Sequence, residues 1–202
     1  MKRDLINALR KMSLNVNDSF LESPTQMIFE EGERLFLERH SGGSLDRMKK
    51  DLKEIVDNYE LDGFKVSSIR KDAISTIKCL RRYGLKLAMV TNDGLRATNY
   101  ALEEFGLSGY WDSIVTRDDV EKWKPYPEPV QKTIFQLGVK GEDCMFVGDS
   151  TIDILAAKSS GIKVAVIAKG VHSADHLRSD DPDYFINSLS DLITIVEKNI
   201  HE

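Results

Sequence analysis

Two apolar runs in this sequence end in residues that can do chemistry. LKLAMV (Leu85 to Val90) runs into Thr91, Asn92 and Asp93, and CMFV (Cys144 to Val147) runs into Gly148 and Asp149, with Asp153 four residues on. Gly148 would let the backbone turn off the strand. Asp149 then stands at the strand end, Asp153 lies in the first turn of the next helix, and both carboxylates can face one point. Oxygen donors around a small space suit a hard cation such as Mg²⁺. The same acids could instead cap the helix and complement its dipole. The Thr91 hydroxyl can join backbone N–H groups in holding an anion, or it can simply close a turn. Lys124 sits in EKWKPYPEP, where Pro125, Pro127 and Pro129 each fix φ. A lysine on so stiff a loop makes a point charge for a phosphate; the plain alternative is a solvated loop lysine. Trp123 beside it reads as a packing residue.

The remaining reactive residues form no pattern. His40, His172, His176 and His201 show no zinc-ligand spacing, and the four-residue step from His172 to His176 has no third partner. Cys144 opens an apolar run and reads as core. There is no P-loop, no Gly-x-Gly-x-x-Gly after a strand and no Gly-x-Ser-x-Gly elbow.

The elements that must hold these residues change character near residue 65. Residues 1–64 read as helical throughout. Leu5, Ile6 and Leu9 share a helical face, Ser23-Pro24 opens a second helix through Met27, Ile28, Leu35 and Phe36, and His40 to Ser44 is a loop. A third helix spans about Leu45 to Tyr59. Residues 65–202 alternate helix and strand. Helices are expected at about Ile69 to Arg82, Leu95 to Phe105, Glu128 to Leu137, Ile152 to Ser159 and Leu189 to Asn199. Strands are expected at Leu85 to Val90, Ser113 to Val115, Cys144 to Val147, Lys163 to Ala168 and Tyr184 to Ile186. This alternation predicts an α/β fold with a doubly wound parallel sheet, preceded by a small helical unit. In such sheets ligands bind beyond the C-terminal strand ends, where both polar clusters fall.

Composition narrows the function classes. The chain has 202 residues, 41% of them hydrophobic, and a net charge of −5. That is enough apolar material for a core and too acidic for a broad nucleic-acid surface. No run approaches the ~18 apolar residues of a transmembrane helix. The charged start, MKRDLINALRKM, lacks the apolar stretch of a signal peptide. Two distant cysteines, Cys79 and Cys144, suit a reducing compartment. The expectation is a soluble cytoplasmic protein with neither nucleic acid nor membrane as partner.

Taken in order, VTND at one strand end, then KPYP, then FVGDSTIDILAAKSSGI resembles the haloacid dehalogenase-like hydrolases, from about residue 65 to 196. Most members are Mg²⁺-dependent phosphatases. The helical start resembles the helical cap of phosphoglycolate phosphatase-like members, which implies a cap at 1–64 and an α/β core at 65–202. The resemblance implies that Thr91 binds the phosphoryl group and that Lys124 steadies nucleophile and phosphate. It gives Thr91, Asn92 and Lys124 as the substrate-binding set, and Asp149 with Asp153 as the Mg²⁺ pair. The implied substrate is a small phosphorylated metabolite. Dehalogenation, a minority use of the scaffold, would not need the acidic pair.

The family's first motif, Asp-x-Asp-x-Thr, is not found. Asp4 and Asp18 follow no apolar strand and sit in no Asp-x-Asp. The resemblance places that motif on a central strand between the strands that end at Val90 and Val147. Without its aspartate no covalent phosphoenzyme can form, so the chain as written is expected to be inactive. Three arrangements would answer the open edges: a start further upstream, a strand donated by another polypeptide, or closure of the two edges on each other in a non-catalytic binding module. A strand donor or a second copy of the chain is therefore an expected partner.

Overall fold

A computed structural model describes residues 1–39, 45–168 and 174–200, with the backbone alone at 199 and 200. His40, His172 and His201, and the loop expected at His40 to Ser44, lie outside the described residues. The chain forms two compact units, Met1–Ser67 and Ser68–Glu202.

The first unit is helical. Its elements are α1 (Lys2–Lys11), a 3-10 turn (Asp18–Glu22), α2 (Thr25–Arg39) and α3 (Leu45–Val66). Helical spacing puts Leu5, Ile6 and Leu9 of α1 on one buried face, opposite Ile28 and Phe29 of α2 and Met48, Leu52 and Val56 of α3. A Cβ on Gly32 would lie 2.8 Å from Leu9 Cδ2, so glycine is what lets α1 and α2 approach closely. α3 runs past the expected end near Tyr59 because Leu61 extends its buried stripe. Asp4 lies on α1 and accepts from Tyr59 Oη, while Asp18 accepts from Arg10 Nη2 at 2.8 Å.

The second unit alternates helix and strand: α4 (Ala73–Arg82), β1 (Ala88–Val90), α5 (Leu95–Glu104), β2 (Ser113–Val115), α6 (Glu128–Leu137), β3 (Met145–Gly148), α7 (Thr151–Ser159), β4 (Lys163–Ile167), α8 (Ala174–Ser179), β5 (Tyr184–Ile186) and α9 (Asp191–Ile200). Every ladder is parallel, with Ala88 opposite Ser113, Met145 opposite Lys163 and Ala165 opposite Tyr184. Helices cover both faces. Val130 of α6, Ile154 and Ala157 of α7 and Leu177 of α8 pack on one side of β4, with Val164 and Val166. Leu192 of α9 and Leu80 of α4 pack on the other, with Ala165 and Ile167. This is the doubly wound α/β architecture that the alternation predicts.

In the second unit α8 was not expected from the sequence, and two element starts differ from expectation. β1 is shorter than Leu85 to Val90, because the Asp112 carboxylate takes the Leu87 N–H at 2.8 Å in place of a ladder partner. α4 starts at Ala73 rather than near Ile69. The residue before it, Asp72, instead reaches across the unit to accept from the Leu189 N–H at 2.7 Å.

The sheet is also in two pieces. Among the described residues the strand orders are β1-β2 and β3-β4-β5, with no ladder between β1 and β3. The two edges do not close on each other. Val90 and Phe146 nevertheless pack against the same apolar cluster, so β1 and β3 border a common core, and the missing ladder between them is a slot in the sheet's hydrogen-bonding pattern.

Candidate functional site

The slot ends at the two polar clusters. β3 delivers Gly148 and Asp149, and α7 begins at Thr151, so Asp153 lies in the first turn of α7. Asp153 is 5% exposed and its carboxylate is fully engaged. Oδ1 accepts from Lys124 Nζ at 2.7 Å, and Oδ2 accepts from Ser150 Oγ at 2.6 Å and from the Asp149 N–H at 3.1 Å. Gly148 is required by this packing rather than by a turn. A Cβ there would fall 2.4 Å from Asp153 Cβ and 2.6 Å from its Oδ2. The sharp turn expected at Gly148 is thus corrected to a close approach of backbone and side chain.

Lys124 is not a solvated loop lysine. It is 9% exposed. Besides Asp153, its Nζ donates to the Val90 carbonyl at 3.1 Å and lies 5.5 Å from the centre of the Phe146 ring. One ammonium therefore joins the end of β1 to the start of α7. Removing either member of such a buried pair leaves the other charge uncompensated, at a cost of about 3–5 kcal/mol. The Lys124-Pro125 peptide bond is cis.

Thr91 and Asn92 follow β1 directly. The Thr91 hydroxyl donates to Asp93 Oδ2 at 2.6 Å and accepts from the Asp93 N–H at 3.0 Å, the turn-closing arrangement weighed above. The Asn92 side chain holds the backbone of Lys124: its Nδ2 donates to the Lys124 carbonyl at 2.8 Å and its Oδ1 accepts from the Lys124 N–H at 3.0 Å. Asp149 is exposed, and its carboxylate makes no hydrogen bond or ion pair with the described residues. The structure thus brings Asn92, Lys124, Asp153 and Asp149 into one chain of contacts, with Thr91 adjoining it through Val90.

Two contributors were not singled out from the sequence. Ser150 lies inside the GDSTID run, where an N-cap serine could have been suspected. Arg117, 1% exposed, donates from Nη1 to the Asn92 carbonyl at 2.9 Å and stacks 5.3 Å from the centre of the Trp123 ring. No local signal marks an arginine that acts across such a separation. Trp123 is buried, as a packing residue should be. Cys144 is half-buried; desolvation, followed by the nearby Asp143 charge, pushes its thiol above the usual range.

The donor chemistry of the strand ends fits a hard cation. Asp149 offers a carboxylate with no partner among the described residues, and Asp153 would add a second by exchanging one of its present bonds, all oxygen. Among the described residues no group of three His, Cys, Asp or Glu side chains is gathered as a metal-binding cluster, so a cation here would need other oxygens to complete its shell.

Parallel strands with helices on both faces define an α/β protein, and its polar residues gather at the C-terminal strand ends, the edge where such sheets generally bind ligands. A sequence profile described as haloacid dehalogenase-like hydrolase matches residues 7–167. The chain belongs to that family. It is 43% identical over 121 residues to pyrophosphatase PpaX of Halalkalibacterium halodurans, which is 60% of this chain and 56% of that protein. Pyrophosphatase PpaX of Anoxybacillus flavithermus is 36% identical over the same shares. The match thus spans little more than half the length of these two relatives. A crystal structure of a predicted phosphoglycolate phosphatase from Haemophilus somnus superimposes with a TM-score of 0.67 at 20% identity, covering 96% of this chain and 89% of that one. No helix among the described residues is long and apolar enough to cross a membrane.

Proposed function

We propose that this chain forms the larger part of a Mg²⁺-dependent phosphohydrolase acting on a small phosphorylated metabolite. The carrying observation is the buried Lys124 ammonium, paired with Asp153 at the strand ends beside the Asp149 carboxylate, which has no partner among the described residues. Pyrophosphate is the first substrate to test, since relatives of 43% and 36% identity bear the name pyrophosphatase. In this reading Lys124 meets a phosphoryl oxygen, and Thr91 turns its hydroxyl from Asp93 to the same group. Asp149 and Asp153 hold Mg²⁺, which when bound neutralises charge on the phosphoryl oxygens. The helical unit acts as the cap, and a further parallel strand carrying the attacking aspartate fills the slot between β1 and β3. That strand comes from the same polypeptide upstream or from a second one.

The test is release of inorganic phosphate from pyrophosphate and from p-nitrophenyl phosphate, with and without Mg²⁺. The chain is compared with a version extended at its N-terminus by an Asp-x-Asp-x-Thr strand. Mg²⁺-dependent turnover is expected in the extended protein and is lost in its Lys124→Ala variant. An extended protein that folds and turns over neither substrate ends the enzyme reading. A second reading, a phosphate-binding module without turnover, is favoured by the open slot; it predicts that the 202-residue chain is monodisperse and binds phosphate unaided.

A further inference from the structure

Lys124 stands on an irregular, proline-rich loop, yet its ammonium meets two partners on two different elements, the Val90 carbonyl and Asp153. A long side chain reaches such a point reproducibly only if the backbone it leaves is itself fixed. Asn92 supplies that fixation. Its amide makes two hydrogen bonds to one residue 32 positions away, accepting from the Lys124 N–H and donating to the Lys124 carbonyl. A carboxamide carries one donor group and one acceptor, and only one assignment of its O and N satisfies both contacts. The side chain thus takes the place of a neighbouring strand for a loop residue that has none.

The clamp is held from behind. Arg117 donates from Nη1 to the Asn92 carbonyl at 2.9 Å and from its backbone N–H to the Asp93 carbonyl at 3.1 Å. Its guanidinium lies over the ring of Trp123, the residue before Lys124. The turn after β1 and the loop of Lys124 are therefore both tied to the turn after β2, which carries Arg117 within the Thr116–Asp119 capping box.

We infer that Asn92 is a positioning residue for Lys124, its amide committed to the lysine backbone rather than to substrate, with Arg117 and Trp123 bracing it. The functional weight of this inference rests on the proposed role of Lys124 toward phosphate; the clamp itself does not.

The experiment is trace acetylation of the folded chain, read lysine by lysine by peptide mass spectrometry, with the exposed Lys140 as internal reference. In the unmutated chain Lys124 is expected to react at least about 10-fold more slowly than Lys140, because its nitrogen is buried and bonded. Asn92→Ala should raise the Lys124 rate at least about 5-fold with other lysines unchanged, and Asn92→Asp, which can still accept from the Lys124 N–H, should fall between. An unchanged Lys124 rate in both variants overturns the inference, as does a rise shared equally by all lysines. If Asn92→Ala fails to fold, Asn92→Asp decides. Hydrogen exchange on the unmutated chain gives a further reading. The Lys124 amide should be slowed at least about 100-fold relative to free peptide, and free exchange there would also overturn the clamp. Repeating the acetylation with inorganic phosphate separates the two readings. Protection of Lys124 supports the phosphate role, and half-protection should need about 5-fold more phosphate in Asn92→Asp. No protection in the unmutated chain removes the phosphate role and leaves the clamp standing on the labelling and exchange results.

Discussion

β4 and the pair β1 and β3 are written in the same alphabet and live in different surroundings. Val164, Ala165 and Val166 of β4 are fully buried between ladders to β3 and β5. β3 has a ladder on one side only; Val147 is 37% exposed, and every residue of β1 is half-buried. Parallel strands are normally buried on both faces and paired on both edges. Among the described residues β1 and β3 each carry a ladder on one edge only, although their runs are as apolar as that of β4. An apolar run thus does not by itself separate a strand paired on both edges from one paired on a single edge.

The sharpest way to break this contrast is at the contact spanning the slot. Lys124→Met should cost about 3–5 kcal/mol in urea denaturation, because Asp153 is left charged and buried without its partner. A loss no larger than that of a surface substitution would mean that the two half-sheets do not depend on the bridge. Next comes a matched pair of truncations. Ile167→Ala in β4 should cost about 2–5 kcal/mol, and Val147→Ala in β3 less than about 1 kcal/mol. Equal costs would erase the distinction between the closed and the open strand. Gly148→Ala, which drives a methyl into Asp153, should cost about 1–3 kcal/mol in the same assay.

The smallest expected effect concerns the start of β1. The Leu87 N–H bonded to Asp112, followed by the Arg81 guanidinium, holds that carboxyl below its ordinary range. A depressed folded-state pKa contributes stability that is present above the unfolded value, near pH 4, and is lost as pH falls through the folded value. Asp112→Asn should therefore show a slightly shallower acid loss of stability below about pH 4, and no change in the slope of stability against pH near neutrality.

The sequence carried the α/β class through its alternation of apolar runs and helical faces, and β2, β5 and α6 fall where their residues place them. It also showed polar residues after Val90 and Val147, because strand ends are local features. The unpaired edges of β1 and β3 were expected through the family resemblance alone, since periodicity does not show which strands pair. Two things were not legible for a common reason. The Gly148 contact with Asp153 and the reach of Arg117 to Asn92 each depend on which distant segments meet, and hydrophobic periodicity is silent on that. α8 is only six residues long, too short for periodicity to show.

Each hydrogen-bonded strand pair joins neighbours in the chain: β1 with β2, β3 with β4, β4 with β5. The ladders therefore close over short stretches of polypeptide, the condition that favours rapid folding. As the chain leaves the ribosome, the β1-β2 piece can form before β3 is synthesised, and the three-stranded piece can assemble behind it. The break between β1 and β3 is then the seam between two pieces that can each form their ladders without the other.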